Sequence, residues 1–303
     1  MNPYVFIVGC PRSGTTLLRR MVDAHPEVAI ARETHWIPEL RELPAHELLP
    51  ALVAHPKFRN LDLEPAELEP LVQNGAASYA AFVTAVFDLY GARRGKRLVG
   101  DKTPGYVREL AALHALWPRA RVVHLIRDGR DVCLSALAWE RKAEQFRRRF
   151  RTWADDAVTT AALWWRWHVQ LGREEGARLG PALYHELRYE ALVAEPEREC
   201  RTLCAFLDVP YDDAMLRFHE GRMRPGPGIS AKRAWLPPTP GLRDWRSELA
   251  ADALEQVEAA AGDLLDELGY ERAVPRPAPL RLAHAARVAA AFAAERSGAE
   301  AQP

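Results

Sequence analysis

Eight consecutive residues, Gly9-Cys10-Pro11-Arg12-Ser13-Gly14-Thr15-Thr16, bring two glycines, three hydroxyls and a guanidinium into one short segment. That set can hold an oxyanion. Glycines let the backbone curl until successive N–H groups converge, and a helix beginning just after them adds partial positive charge. The ATP-type signature GxxxxGK(S/T) would put Lys at position 15, but Thr15 stands there and the charge comes earlier, from Arg12. No Lys reaches for the β- and γ-phosphates of a triphosphate, so the loop suits a shorter anion whose terminal group is not a γ-phosphoryl. A plain glycine turn is the alternative, and it leaves five polar or small loop residues unexplained.

A second constellation follows the apolar run at residues 121–126. Arg127 comes directly after it, and Ser135 lies eight residues on, about two turns into the next helix. A strand-end Arg with a helix hydroxyl can hold a compact dianion. Beside this stands a simpler reading, in which Arg127 pairs with Asp128 or Asp131.

The elements that must position these residues can be read from periodicity. Residues 4–8 form a short apolar run of buried-strand length, and Leu17, Leu18 and Met21 then recur at helical spacing until His25-Pro26. Further strands are expected at residues 28–30, 97–100, 121–126 and 182–184. Helices are expected at 78–90, 107–116, 132–139, 153–179, 196–207 and 249–268. Residues 41–96 read as helical insertions broken by prolines, and 221–240 as a Gly/Pro-rich loop. Trp153, Trp164, Trp165 and Trp167 have the spacing of core packing, and the basic run 141–151 that of a solvated helix face. A domain is expected over 1–272, with 273–303 a Pro/Ala/Arg-rich tail forming either a surface helix or a disordered segment. Alternating strands and helices indicate an α/β fold of P-loop NTPase-like type, three layers with a central parallel sheet. Ligands of such sheets bind beyond the strand carboxyl ends, where the polar segments named here all fall.

Bulk properties exclude several classes. Forty-one basic residues balance forty-one acidic ones over 303 residues, so no overall charge argues for nucleic acid. Four cysteines (Cys10, Cys133, Cys200, Cys204) are sparse, and without a matching Cys/His pair they read as buried thiols and not as a metal site. The first strand starts too early for a charged leader, and no apolar run is long enough to span a bilayer. A cytoplasmic protein is expected.

The segment GCPRSGTTLLRRMVDAHPEV resembles the 5′-phosphosulfate loop of sulfotransferases that use 3′-phosphoadenosine 5′-phosphosulfate (PAPS), in the variant of protein-tyrosine sulfotransferases and the broad bacterial family. The resemblance extends through separated motifs from Tyr4 to Leu249. It implies PAPS as donor co-substrate without a metal, with Arg12, Ser13, Gly14, Thr15 and Thr16 on the phosphosulfate and Arg127 and Ser135 on the 3′-phosphate. RETHWIP resembles the EETRxIP segment of tyrosine sulfotransferases and the KEVHFF segment of heparan 3-O-sulfotransferases, and both place the general base at Glu33. His35 is the runner-up base, since cytosolic sulfotransferases use a His. Lys102 in GDKTPGY resembles the Lys that faces the transferring group, where it would act with Arg12. Tyr189 in LRYEALVAEP matches a nucleotide-contacting Tyr. Ser230 resembles a Ser near the sulfonate, with Lys232 and Arg233 as further phosphate contacts, although the spacing to Trp245 is longer than in cytosolic sulfotransferases. The animal tyrosine sulfotransferases are membrane-anchored, unlike the expectation here. A glycan, lipid, small metabolite or peptide acceptor would each fit the resemblance. Two rival readings are a P-loop kinase or NTPase, with Asp128 as a Mg²⁺ carboxylate, and a non-catalytic nucleotide-binding protein of the same fold.

Overall fold

The computed structural model describes residues 4–73, 78–220 and 236–300. The chain gathers into two compact units, one of Met1–Ile126 with Gly172–Pro240 and one of Arg127–Leu171 with Gly241–Pro303.

The first unit holds a five-stranded, wholly parallel sheet: β1 (Val5–Val8), β2 (Val28–Arg32), β3 (Leu98–Lys102), β4 (Arg121–Ile126) and β5 (Tyr184–Arg188), in the order β2-β3-β1-β4-β5. All four β1 residues are buried, as a strand covered on both faces requires. Its side chains sort by alternation. Tyr4, Phe6 and Val8 enter an aromatic layer with Trp36, Phe87, Tyr106 and Trp117. Val5 and Ile7 enter an aliphatic one with Leu18, Met21, Leu203 and Leu207. The first helix, α1 (Thr15–Ala24), opens at the carboxyl end of β1, and its buried Leu17, Leu18, Met21 and Val22 press on the aliphatic face.

Several boundaries differ from expectation, each for a local reason. β3 runs two residues further, to Lys102, because the chain leaving β2 extends the ladder: the Glu33 N–H donates to the Lys102 carbonyl at 2.8 Å. The helix expected from residue 107 is a 3₁₀ turn, Pro104–Arg108, followed by the helix Leu110–Leu116. The last strand is Tyr184–Arg188, later than 182–184.

In the second unit the helix expected from 132 starts earlier, as Gly129–Leu137, because the Asp128 carboxylate caps it by accepting the Arg130 N–H. The long helix expected over 153–179 is divided into Arg151–Asp155 and Ala157–Leu179. Asp156 makes the break, its carboxylate accepting the Thr159 N–H at 2.9 Å. Trp153, Trp164, Trp165 and Trp167 are buried, as their spacing suggested. The tail is a helix, Pro279–Glu300. Among the described residues, no helix is long and apolar enough to cross a membrane.

Candidate active site

The loop after β1 is built by two close approaches. Gly9 has φ +148°, and a Cβ there would lie 2.5 Å from the Leu125 carbonyl oxygen. Gly14 has φ +92° and caps α1, and a Cβ there would lie 2.4 Å from the Tyr189 ring. Neither position tolerates a side chain, which is the physical content of the two glycines. Between them Arg12 adopts φ +80°, a left-handed conformation uncommon for a side chain of its size. Ser13 and Thr15 are buried, Arg12 and Thr16 half-buried, and no side chain caps α1. Tyr189, expected on the nucleotide, lies with its ring against Gly14.

At the neighbouring strand ends, β2 and β3 bring Glu33 and Lys102 together. Lys102 Nζ lies 2.5 Å from Glu33 Oε1 and 3.3 Å from Thr16 Oγ1. Lys102, beyond the strand expected at 97–100, is the last residue of β3, 3% exposed, and its ion pair is with Glu33. His35 Nε2 is 3.9 Å from Glu33 Oε2. Burial alone would push the Glu33 carboxyl up, but His35 and the Lys102 ammonium together hold it well below the usual carboxylate range. Burial pulls Lys102 down, against the opposing charge of Glu33.

Three neighbours escaped sequence reading. Asp101 and Tyr106 are buried in unit one and bond to Thr34, the residue between Glu33 and His35. The available signal was an acidic residue directly after a strand expected to be buried, since a carboxylate drawn into that strand must find donors.

In the second unit, Arg127 is 7% exposed and Ser135 3%. Arg127 pairs with Asp131 at 3.0 Å, as the simpler reading anticipated, and its carbonyl accepts the Trp165 indole N–H at 3.0 Å. Asp131 also accepts the Trp245 backbone N–H at 3.0 Å, so the guanidinium leans on an anchored carboxylate. Asp128, which the kinase reading needs as a Mg²⁺ ligand, is engaged elsewhere. Its two oxygens accept from Arg130 at 3.0 and 2.8 Å and from the Trp245 indole at 3.1 Å. Arg130, 1% exposed, also binds Glu258 at 2.7 Å and stacks on the Trp245 ring. This network is structural, and its long sequence separation hid it. Ser230, Lys232 and Arg233 lie outside the described residues.

Protein-tyrosine sulfotransferase of Drosophila melanogaster is 28% identical over 279 residues, 89% of this chain and 52% of that protein. Protein-tyrosine sulfotransferase A of Caenorhabditis elegans is 32% identical over 221 residues, 72% and 53%. The chain thus spans about half the length of these relatives. Among solved structures, the sulfotransferase domain from the Synechococcus PCC 7002 olefin synthase superposes with TM-score 0.60 at 26% identity, covering 89% of this chain and 95% of that one. The sulfotransferase domain from the curacin biosynthetic pathway, at TM-score 0.57 and 22% identity over 89% and 99%, shares the fold. The sulfotransferase family profile matches residues 3–213, the stretch that contains the glycine loop, the Glu33–Lys102 pair, Arg127, Ser135 and Tyr189, and on that match the chain belongs to the sulfotransferase family.

Proposed function

We propose that the protein transfers the sulfuryl group of PAPS to a hydroxyl or amine of an acceptor, with Glu33 as general base. The carrying observation is the buried Lys102, bonded at once to Glu33 and to Thr16 of the glycine loop. It joins a proton acceptor to an anion cradle. The side-chain-free Gly14, the uncapped start of α1 and the buried Ser13 and Thr15 fit a compact phosphosulfate. When bound, PAPS supplies the sulfuryl group and a bisphosphate leaving group.

Glu33 takes the proton the acceptor loses as its oxygen or nitrogen bonds to sulfur. Lys102, Arg12 and the loop amides meet the negative charge on the phosphate oxygen released when the sulfur–oxygen bond breaks. The ion pair makes Glu33 ionised but a weak base. Charge arriving beside Lys102 weakens that pair, and Glu33 then binds a proton more strongly as the reaction proceeds. His35, beside the same carboxylate, fits an orienting role. Arg127 and Ser135 take the 3′-phosphate, with Asp131 fixing the guanidinium, and Tyr189 backs the loop.

Relatives bearing the name protein-tyrosine sulfotransferase make a tyrosine hydroxyl one acceptor to try, alongside glycan, lipid and small phenolic hydroxyls. Calorimetric titration with adenosine 3′,5′-bisphosphate, ADP and ATP–Mg²⁺ tests the donor site. The bisphosphate is expected to bind best, without metal, and to lose about 10- to 100-fold in Arg127→Ala. Stronger binding of ATP–Mg²⁺ would sink the reading. Glu33→Gln should keep bisphosphate affinity while losing about 10²- to 10⁴-fold in turnover.

A further inference from the structure

The backbone that presents Glu33 is unusual. Glu33 has φ +34° and His35 φ +60°, both in the left-handed region that side-chain-bearing residues avoid. Such a conformation persists where surrounding structure over-determines it. Thr34, between the two, is fully buried and supplies the restraint. Its N–H donates to Asp101 Oδ2 at 3.2 Å, and its hydroxyl bonds the Tyr106 hydroxyl at 2.9 Å. The Tyr106 oxygen also accepts the Ile37 N–H at 3.3 Å, closing the turn from its far end. Asn60 Nδ2 donates to the Glu33 carbonyl at 3.2 Å.

The turn breaks strand alternation, and that decides which contacts form. The ladder pairs Ala31 with Asp101 and Arg32 with Lys102, so an extended chain leaving β2 would turn Glu33 to the Asp101 side of the sheet. With its positive φ, Glu33 meets Lys102 instead while Thr34 meets Asp101, and the Glu33 N–H still donates to the Lys102 carbonyl. One pair of β3 residues grips the turn on both sides.

We propose that Asp101 and Tyr106 are positioning residues, clamping Thr34 so that the Glu33 carboxylate is held against Lys102 in its left-handed turn. The catalytic consequence rests on the reading of Glu33 as base. Asp101 and Tyr106 are buried behind the turn and act through Thr34.

The test is a pH titration of Glu33 by NMR in protein labelled with ¹³C at the glutamate carboxyls, its resonance assigned by its loss in Glu33→Gln. In the intact chain Glu33 is expected to stay ionised to the acid end of the range. In Tyr106→Phe and Thr34→Val the turn relaxes, the contact with Lys102 loosens, and the midpoint should rise towards the ordinary glutamate value of about 4.3. Thr34→Ser keeps the hydroxyl and should restore the low midpoint. Tyr106→Phe removes a single oxygen and is the variant most sure to fold, which unchanged affinity for adenosine 3′,5′-bisphosphate would verify. A Glu33 midpoint unmoved in both Tyr106→Phe and Thr34→Val would overturn the clamp. The titration reads where the carboxylate sits and not whether it takes a proton from an acceptor. A failed clamp thus leaves the catalytic reading standing, and inactive Glu33 chemistry leaves the clamp standing.

Discussion

At the scale of single residues, the chemistry turns on Lys102. Its ammonium is buried and has Glu33 and Thr16 as partners, so it serves the carboxylate before any substrate arrives. Lys102→Met keeps the buried stem but removes the charge. Two effects should follow from that one change. Turnover, followed as adenosine 3′,5′-bisphosphate released with 4-nitrophenol as acceptor probe, should fall about 10²- to 10³-fold, the usual cost of losing a preorganised charge. The Glu33 carboxyl loses the Lys102 charge while His35 still lowers it, so it should also rise, and an acid limb should appear at higher pH in the residual rate. A variant with the loss of rate but no new limb would show that Lys102 does not control Glu33. The loop residues were legible in sequence because they are contiguous and their chemistry is local. Glu33 and Lys102 were each legible by motif, but their contact was not. It depends on strand register across 69 positions, and on β3 ending two residues later than its apolar pattern suggested.

At the scale of elements, the glycine loop and the sheet beneath it make opposite demands. The loop needs Gly14 both for its backbone and for the Tyr189 ring, so Gly14→Ala should disturb it twice. The left-handed φ should cost about 1 to 2 kcal/mol, and the ring clash should add to it. Adding Tyr189→Ala removes the clash but not the backbone strain. The double variant should therefore recover part of the lost thermal stability, and full recovery would mean the backbone was never strained. The sheet, by contrast, carries a titratable liability in His124 on β4. It is fully buried, bonded through Nδ1 to the Tyr184 hydroxyl at 2.6 Å, and pushed down to about 3 by burial and then by Arg173 and Arg188. An unfolded His titrates near 6.5, so below that pH the unfolded chain binds a proton the native one refuses. The contribution is whole above about 6.5 and fades as pH falls towards 3, by roughly 1.4 kcal/mol per pH unit. Asp101 works the other way. Burial raises it to about 6, above the unfolded value, so it favours the native state as pH falls through 6. Comparing chains isolates the histidine: between pH 7 and 5, His124→Gln should lose less melting temperature than the intact protein. Parallel curves would assign the acid sensitivity elsewhere.

At the scale of the whole molecule, sequence carried the sheet because each strand–helix step is local and the polar strand ends share one edge. It did not carry what joins distant parts of a unit. Arg130 and Glu258 form a buried ion pair 128 residues apart, and no periodicity announces it. The C-terminal helix Pro279–Glu300 is the same case. Its Ala/Arg-rich composition left surface helix and disorder equally open, because its anchoring side chains are few and widely spaced. Within the second unit, Phe292 is 4% exposed and packs 5.0 Å from the Phe150 ring. His284 pairs with Asp156 at 2.7 Å, and Glu295 accepts from the Thr152 N–H and hydroxyl, both at 3.1 Å. The polar contacts at this helix are partly exposed and worth little singly, so the aromatic anchor decides its stability. Phe292→Ala should lower the stability of the second unit by about 3 kcal/mol, the cost of emptying a buried aromatic site. Urea denaturation followed by the fluorescence of its buried tryptophans would read this as an earlier midpoint. His284→Ala should move that midpoint by well under half as much. If Phe292→Ala left it in place, the helix would be an appendage and its aromatic contact dispensable.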